Sequence, residues 1–124
     1  MTVRDGTLAM VAFRAGGLRF AVEASSVVAM LTDADNTVAF ATLIGLEPAR
    51  SVTRTLAVRQ QEAIRRIVVE EPVTTIDVPF HAIRPLPPLV AARLTRPCIR
   101  ALMWDEDGLV ILTAFPEPHD EKTT

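Results

Sequence analysis

The sequence predicts an all-β domain, and three of its features carry that prediction. Turn-forming residues recur at short intervals, and the segments between them are brief and rich in β-branched and aromatic residues. Leu18, Phe20 and Val22 alternate with other residues, as expected for a half-buried strand. The segment from Pro79 to Pro97 contains five prolines, which argues against a long regular helix there. About seven or eight short strands with this spacing are typical of a β-barrel or a sandwich.

The predicted strands are joined by tight turns. They are expected at residues 8–14 and 18–22 across Gly16-Gly17, at 27–31, at 55–59 and 64–70, at 73–78, and at 99–104 and 109–115 across an acidic turn. Residues 38–46 predict a short strand that runs into a helical turn ending at Gly45. A single helical turn is expected at residues 89–93. With no linker in the chain, one domain is predicted over residues 1–115, followed by a disordered polar tail over residues 116–124.

The composition excludes several classes of function. Thirteen Lys and Arg residues are balanced by 15 Asp and Glu residues, so the chain lacks the basic excess that nucleic acid or an anionic membrane surface requires. The single cysteine, Cys98, cannot form an internal disulfide, and the first residues lack the layout of a signal peptide. No apolar run is long enough to span a membrane. We therefore expect a cytoplasmic protein that binds no nucleic acid and inserts into no membrane.

No group of residues predicts catalysis, a metal site or a cofactor site. Cys98 could pair with a histidine as a nucleophile, but it follows a proline at the start of an apolar strand, which favours a buried structural thiol. The two histidines are far apart in sequence, which disfavours zinc. The acidic turn at residues 105–108 runs directly into a strand and lacks the spacing of a calcium loop. A small enzyme that depends on Cys98 is the remote alternative.

Two segments have both a structural and a binding interpretation. Residues 84–89 nearly match a polyproline ligand, but the closely flanking strands favour a rigid connector. Arg65 and Arg66 interrupt an apolar strand, and adjacent strand residues face opposite sides, so one of them should point toward the buried face. The pair favours an edge strand protected by charge, with a contact surface for an acidic partner as the alternative.

Two blocks of the sequence follow a recognisable pattern. Residues 13–31 read FRAGGLRFAVEASSVVAML, and residues 55–89 include Ile67-Val68-Val69-Glu70 and Ala82-Ile83-Arg84-Pro85. These blocks resemble the CheW-like domain, the adaptor fold of bacterial chemosensory arrays, with its opening hairpin and its I/L-V-V-D-x-V and x-I-R-P segments. Residues 99–113 are similar to the final hairpin of that family. The resemblance implies two intertwined SH3-like barrels, no enzymatic activity and no cofactor.

The chain departs from the family pattern between the two blocks. Family members usually carry a G-x-x-N-L-R-G-x-x-x-P-x-x-D-L segment there, and residues 32–54 are too short to contain it. Ala29 stands where a glutamate is usual, and Arg66 stands where a glycine is common. The apolar C-terminal helix often found in the family is also missing. The resemblance therefore implies one intact and one reduced barrel, similar to short members of the FrzB type.

By resemblance, the protein is expected to be a non-catalytic adaptor that couples the signalling tip of a chemoreceptor to the regulatory domain of a CheA-type histidine kinase. Partner contacts are predicted from matching family positions at Val27, Val28, Ala29, Met30, Arg54, Leu56, Val58 and Arg66. The alternative is a regulatory or decoy protein that binds only the receptor, because the N-L-R-G segment is missing. Another CheW-like protein is a further expected partner, and the β edge left by the shortened segment predicts a homodimer.

Overall fold

A computed structural model describes residues 3–4, 6–32, 35–50, 52–86 and 98–115 of the chain. Within these ranges the chain forms ten strands, one short helix and two 3₁₀ turns, at Ala24–Ser26 and Phe80–Ala82. The strands and the helix are β1 (Val3–Arg4), β2 (Thr7–Ala15), β3 (Leu18–Glu23), β4 (Val27–Leu31), β5 (Thr37–Ala39), α1 (Phe40–Leu43), β6 (Thr53–Gln60), β7 (Ala63–Pro79), β8 (Arg84–Pro85), β9 (Ile99–Asp105) and β10 (Gly108–Thr113). The predicted all-β class is confirmed.

The predicted hairpins form where turn-forming residues separate the strands. β2 and β3 pair across Gly16 and Gly17, which have φ angles of +57° and +83° and thus need the freedom of glycine. β6 and β7 pair across Gln61 and Glu62, and β9 and β10 pair across the acidic turn that ends at Gly108. Residues 38–46 also behave as predicted, since β5 runs into α1 and the chain then turns at Gly45 with a φ of +82°.

One prediction about the strands is wrong: residues 64–70 and 73–78 belong to a single strand, the 17-residue β7. Pro72 was expected to separate two strands because it cannot donate a backbone hydrogen bond. In the structure, Pro72 lies where the pairing of β2 with β7 shifts register, between Ala12 and Arg14. An irregularity in the ladder is where a strand tolerates proline, so β7 continues through it.

The strands form one continuous sheet with the order β4-β6-β7-β2-β3-β10-β9-β8. Its first five strands, β4 to β3, curl into a barrel because β3 leads through the 3₁₀ turn at Ala24–Ser26 directly into β4. Likewise, β7 leads through the turn at Phe80–Ala82 into β8, which closes a second barrel over β7-β2-β3-β10-β9-β8. The strands β2, β3 and β7 therefore belong to both barrels. Strand β8, which closes the second barrel, spans Arg84–Pro85.

Each barrel encloses its own hydrophobic core. The core of the first barrel is built from Val11, Phe13, Ala15, Phe20, Val22, Phe40, Ala41, Leu56, Val58, Ile67, Val69 and Phe115. The core of the second barrel is built from Leu8, Met10, Ala21, Val78, Ala101, Met103, Val110 and Leu112. Alternating residues of β2 and β3 belong to different cores: Phe13 and Phe20 lie in the first, whereas Met10 and Ala21 lie in the second. Both faces of these strands are therefore buried, which explains why they are apolar along most of their length.

Four phenylalanines form an aromatic cluster in the first core. Phe40, from helix α1, lies edge-on to Phe13, Phe20 and Phe115, with ring centroids 5.0, 5.1 and 6.0 Å away. Edge-to-face contacts at these distances are favourable beyond the area that they bury. The single turn of α1 is too short to be stable alone, so its position depends on Phe40.

A buried glutamate fastens the loop after α1 to the first hairpin. Oε2 of Glu70 accepts hydrogen bonds from the backbone N–H of Gly16 (2.9 Å) and of Ala49 (3.0 Å). The same region is closely packed, since a Cβ atom on Gly16 would lie 2.9 Å from Cβ of Leu46. The loop therefore lies directly on the Gly16-Gly17 turn.

The connector interpretation of residues 84–89 agrees with the part of that segment that is described. Arg84 and Pro85 form β8 and pair with Leu102 and Ala101 of β9, so they are part of the sheet. Residues 87–89 of this segment, the predicted turn at 89–93 and the predicted tail at 116–124 lie outside the described residues.

Candidate partner-binding surface

Strand β4 presents apolar side chains to solvent along its length. Within the described residues β4 pairs only with β6, so its other edge carries unpaired backbone groups. Val28, Ala29 and Met30 are consecutive and exposed, and the side chains of Val28 and Met30 are each 50% accessible. A half-buried strand would expose every second residue, so three in a row mark an unusual surface.

A β-bulge explains this exposure. Val27 pairs with Val58 and Ala29 pairs with Ala57, which leaves Val28 as an extra residue on β4. Bulges bend the strand that carries them and turn side chains away from the ladder. Val27 remains packed against the first core, whereas Val28 is displaced outward.

The outer face of the neighbouring strands extends the surface. Ala29 pairs with Ala57, and Ala57 pairs with Arg66, so the three residues form one row on one face of the sheet. Ile64 lies two positions before Arg66 on β7, on the same face, and is also exposed. We define the β4 surface as Val28, Ala29, Met30, Ile64 and Arg66; within it, Met30 pairs with the buried Leu56 and therefore lies on the other face of the edge strand from Ala29 and Arg66. Its apolar side chains are bordered by Arg66 and by the exposed Arg59, which pairs with Ile64.

The two adjacent arginines of β7 have different environments, as expected from strand geometry. Arg65 is partly buried, and its Nη1 donates a hydrogen bond to Oε1 of Gln60 at 3.1 Å. Arg66 is exposed on the opposite face. The edge-strand interpretation of this pair is wrong, because Arg66 pairs with Ala57 of β6 on one side and with Thr37 of β5 on the other.

Four of the eight predicted contact residues have other roles in the structure, and one of them, Val27, packs against the first core. Leu56 and Val58 are fully buried in the first core, so we remove them from the predicted contact surface. Their alternation with Thr55 and Ala57 gave no signal of which face is inside, since all four are buried. Arg54 is half-exposed and bound to a neighbour: its Nε donates to Oε2 of Glu71 at 2.6 Å.

The residues that suggested chemistry do not come together. Cys98 is a buried free thiol, and its carbonyl oxygen accepts hydrogen bonds from Oγ1 of Thr113 and from the N–H of Ala114. Across the described ranges, no three His, Cys, Asp or Glu residues are placed to hold a metal ion. Among the described residues, no helix has the length and apolar character that crossing a membrane requires.

A second exposed apolar group lies near the other end of the sheet, and the sequence reasoning missed it. Trp104 on β9 is 65% exposed and pairs with Leu109 on β10. The parallel register of β10 with β3, in which Ile111 pairs with Phe20, places Leu109 beside the exposed Leu18. A lone tryptophan beside an acidic turn was the available signal, but its neighbour on β3 is far away in the sequence.

An ion pair lies next to this group, where Asp105 follows Trp104. Nη1 and Nη2 of Arg19 donate to Oδ1 and Oδ2 of Asp105 at 2.7 and 2.6 Å. These hydrogen bonds lower the pKa of Asp105 from 3.8 to about 2, against the opposing effect of partial desolvation, and a further bond from the N–H of Asp107 acts in the same direction. The same pairing raises the pKa of Arg19.

Comparison with solved structures identifies the fold of this chain, whereas comparison by sequence finds no match. No protein-family model matches the chain, and no curated protein matches it in sequence. The structure is similar to the crystal structure of the scaffolding protein CheW from Thermoanaerobacter tengcongensis, with a TM-score of 0.70 and 12% sequence identity. The match covers 86% of this chain and 88% of that protein. Together with the two barrels that share strands, this similarity shows that the chain has the CheW-like fold.

Proposed function

We propose that this protein is a non-catalytic adaptor of a bacterial chemosensory system, which couples a chemoreceptor to a CheA-type histidine kinase complex in the cytoplasm. The single observation that carries the proposal is the β4 surface, which exposes consecutive apolar residues on a chain with the CheW-like fold. The similar structure is that of a scaffolding protein, which agrees with this role. The buried position of Cys98 supports the non-catalytic interpretation, since a reactive thiol needs access to its substrate.

The β4 surface has the chemistry of a specific protein contact. Val28, Met30 and Ile64 provide apolar area that becomes dry on binding, and Arg66 provides a charge at the rim. An apolar centre with a polar rim is the usual organisation of such interfaces. Arg54 is already paired with Glu71, so we propose that it borders the contact without forming it. Val27 packs against the first core, so we propose that it holds β4 in place beneath the contact.

The alternative is a regulatory adaptor that binds the receptor alone. This proposal rests on the short segment between β4 and β6, where Thr37–Ala39 and Phe40–Leu43 are the ordered elements among the described residues. A protein that has lost one contact segment would occupy receptors without recruiting the kinase, because a few central residues carry most of the binding energy of an interface.

The test is calorimetric titration of the protein with the signalling tip of the receptor and, separately, with the regulatory domain of the kinase. Binding to both supports the coupling role, and binding to the receptor alone supports the regulatory role. Binding to neither contradicts both proposals.

The surface itself is tested with Met30→Glu, which should weaken receptor binding at least tenfold because a charge would be buried in an apolar contact. Phe80→Glu is the matched control, since Phe80 is similarly exposed but lies in the turn between β7 and β8. Equal binding by the two folded variants would remove β4 from the interface. Val27→Asp is a poor probe, because Val27 packs against the core and its loss would also destabilise the fold.

A further inference from the structure

The exposed group around Trp104 is more than a single residue. Trp104 and Leu109 pair across β9 and β10, and Leu102 pairs with Ile111 in the next row of the same face. Leu18 continues the first row onto β3. Residues that lie directly opposite each other share one face of a sheet. We define the Trp104 surface as Leu18, Leu102, Trp104, Leu109 and Ile111; all five side chains are exposed or half-buried.

Charges of opposite sign border the two ends of this surface. At one end lies the acidic turn, where Glu106 and Asp107 are exposed and Asp105 is already neutralised by Arg19. At the other end Arg84 pairs with Leu102, so it projects on the same face, and it is exposed. Nη1 of Arg84 donates to the carbonyl oxygen of His81, and no acidic side chain in the described part of the chain pairs with it.

We propose that the Trp104 surface binds the same surface of a second copy of this chain, in a two-fold symmetric dimer. The two-fold axis lies in the plane of the contact, perpendicular to the strands and near Trp104. The strands of the two copies therefore run in opposite directions. Arg84 of each copy then faces the acidic turn of its partner, and the two indole rings meet near the axis. A two-fold interface must be complementary to itself, and a surface with opposite charges at its two ends meets that condition.

This dimer leaves the β4 surface free. β4 and β9 lie toward opposite ends of the strand order, separated by β6, β7, β2, β3 and β10. A dimer would therefore carry two outward β4 surfaces, so that an adaptor with one partner site per chain would hold two partners. The dimer itself does not depend on the proposed function, and its test needs only the purified protein.

The first experiment is sedimentation equilibrium of the full-length protein over a range of concentrations. We expect a dimer that dissociates on dilution, because most of the surface is only half exposed. Trp104→Ala should raise the dissociation constant at least tenfold, since a tryptophan near the centre of an interface carries a large share of the binding energy. A tenfold change corresponds to about 1.4 kcal/mol. Circular dichroism verifies that the variant is folded.

A charge exchange tests the orientation of the two copies. Arg84→Glu and Glu106→Arg should each weaken the dimer, because each places like charges at the contact. The double variant should restore the dissociation constant to within about threefold of the original. The single tryptophan of the chain gives a second readout, because its fluorescence should shift to longer wavelength when the dimer dissociates.

Three results would overturn the dimer through this surface, and a fourth would overturn its two-fold arrangement. The first is a monomer at all concentrations, and the second is a dimer that is unaffected by Trp104→Ala. The third is a dimer that is lost in Met30→Glu and retained in Trp104→Ala, which would assign the contact to the open edge of β4 instead. Failure of the double charge variant to recover would contradict the two-fold arrangement.

Discussion

Arg19 and Asp105 are joined by two parallel hydrogen bonds although they lie 86 residues apart in the sequence. Arg19 belongs to β3, and Asp105 ends β9, so the pair spans β10, which lies between these strands. Bidentate hydrogen bonds between a guanidinium and a carboxylate are among the stronger polar interactions, because both groups are planar and match in geometry. The pair therefore fixes the acidic turn against the first hairpin.

Asp105→Asn should destabilise the protein by about 1 kcal/mol at neutral pH, a value reduced by the partial solvent exposure of the pair. Because the pKa of Asp105 is lowered from 3.8 to about 2, its contribution is present above pH 4 or so and is lost as the pH falls toward 2. Urea denaturation at decreasing pH measures this. Asp107→Asn is the control from the same turn, and an equal loss in both variants would contradict the role of the ion pair.

Gly16→Ala should destabilise the protein more than Gly17→Ala does. Both glycines have positive φ angles, so each alanine introduces backbone strain of about 1 kcal/mol. At Gly16 the new Cβ would also lie 2.9 Å from Cβ of Leu46 and 3.2 Å from the carbonyl oxygen of Glu47, whereas nothing lies within 4 Å at Gly17. Thermal denaturation of the two variants measures this difference. Similar losses of stability in both would contradict the prediction and show that the loop moves to accommodate the methyl group.

Glu70→Ala should cost about 2 kcal/mol or more, since the backbone N–H groups of Gly16 and Ala49 would lose their shared acceptor. Glu71→Ala removes the neighbouring carboxylate, which forms a partly exposed pair with Arg54, and should cost at most about 1 kcal/mol. The comparison uses chemical denaturation of both variants. A larger loss in Glu71→Ala would contradict the fastening role of Glu70.

Phe40→Ala should destabilise the fold by about 3–5 kcal/mol, because it leaves a cavity among three other aromatic rings. Phe80→Ala is the matched control at an exposed position and should change stability by no more than about 0.5 kcal/mol. Denaturant titration distinguishes them. If Phe40→Ala retained nearly full stability, α1 would not be part of the first core.

The sequence predicts the parts of this fold that depend on local chemistry. Gly16-Gly17, the acidic turn before Gly108 and the stop at Gly45 each require a backbone conformation that few residues adopt, so the hairpins and the helical turn were predicted correctly. The single strand β7 was not, because whether Pro72 interrupts a strand depends on a register shift against β2. Nothing near Pro72 in the sequence reports that shift.

Burial was harder to predict than secondary structure. Val27 to Leu31 and Leu56 to Val58 are similarly apolar, yet β4 is mostly exposed whereas Leu56 to Val58 of β6 are all buried. The difference arises because, among the described strands, β6 is paired on both sides and β4 on one. The Trp104 surface was missed for a related reason: it forms only when β10 pairs in parallel with the distant β3.

The sharing of β2, β3 and β7 between the two barrels has a mechanical consequence. Two domains joined by a linker can rotate, and the distance between their outer surfaces then varies. Here an unbroken ladder of hydrogen bonds runs from β4 to β9, so no hinge separates the two barrels. Whatever attaches at one end of the molecule is held at a set distance and angle from whatever attaches at the other, which makes the chain a rigid spacer.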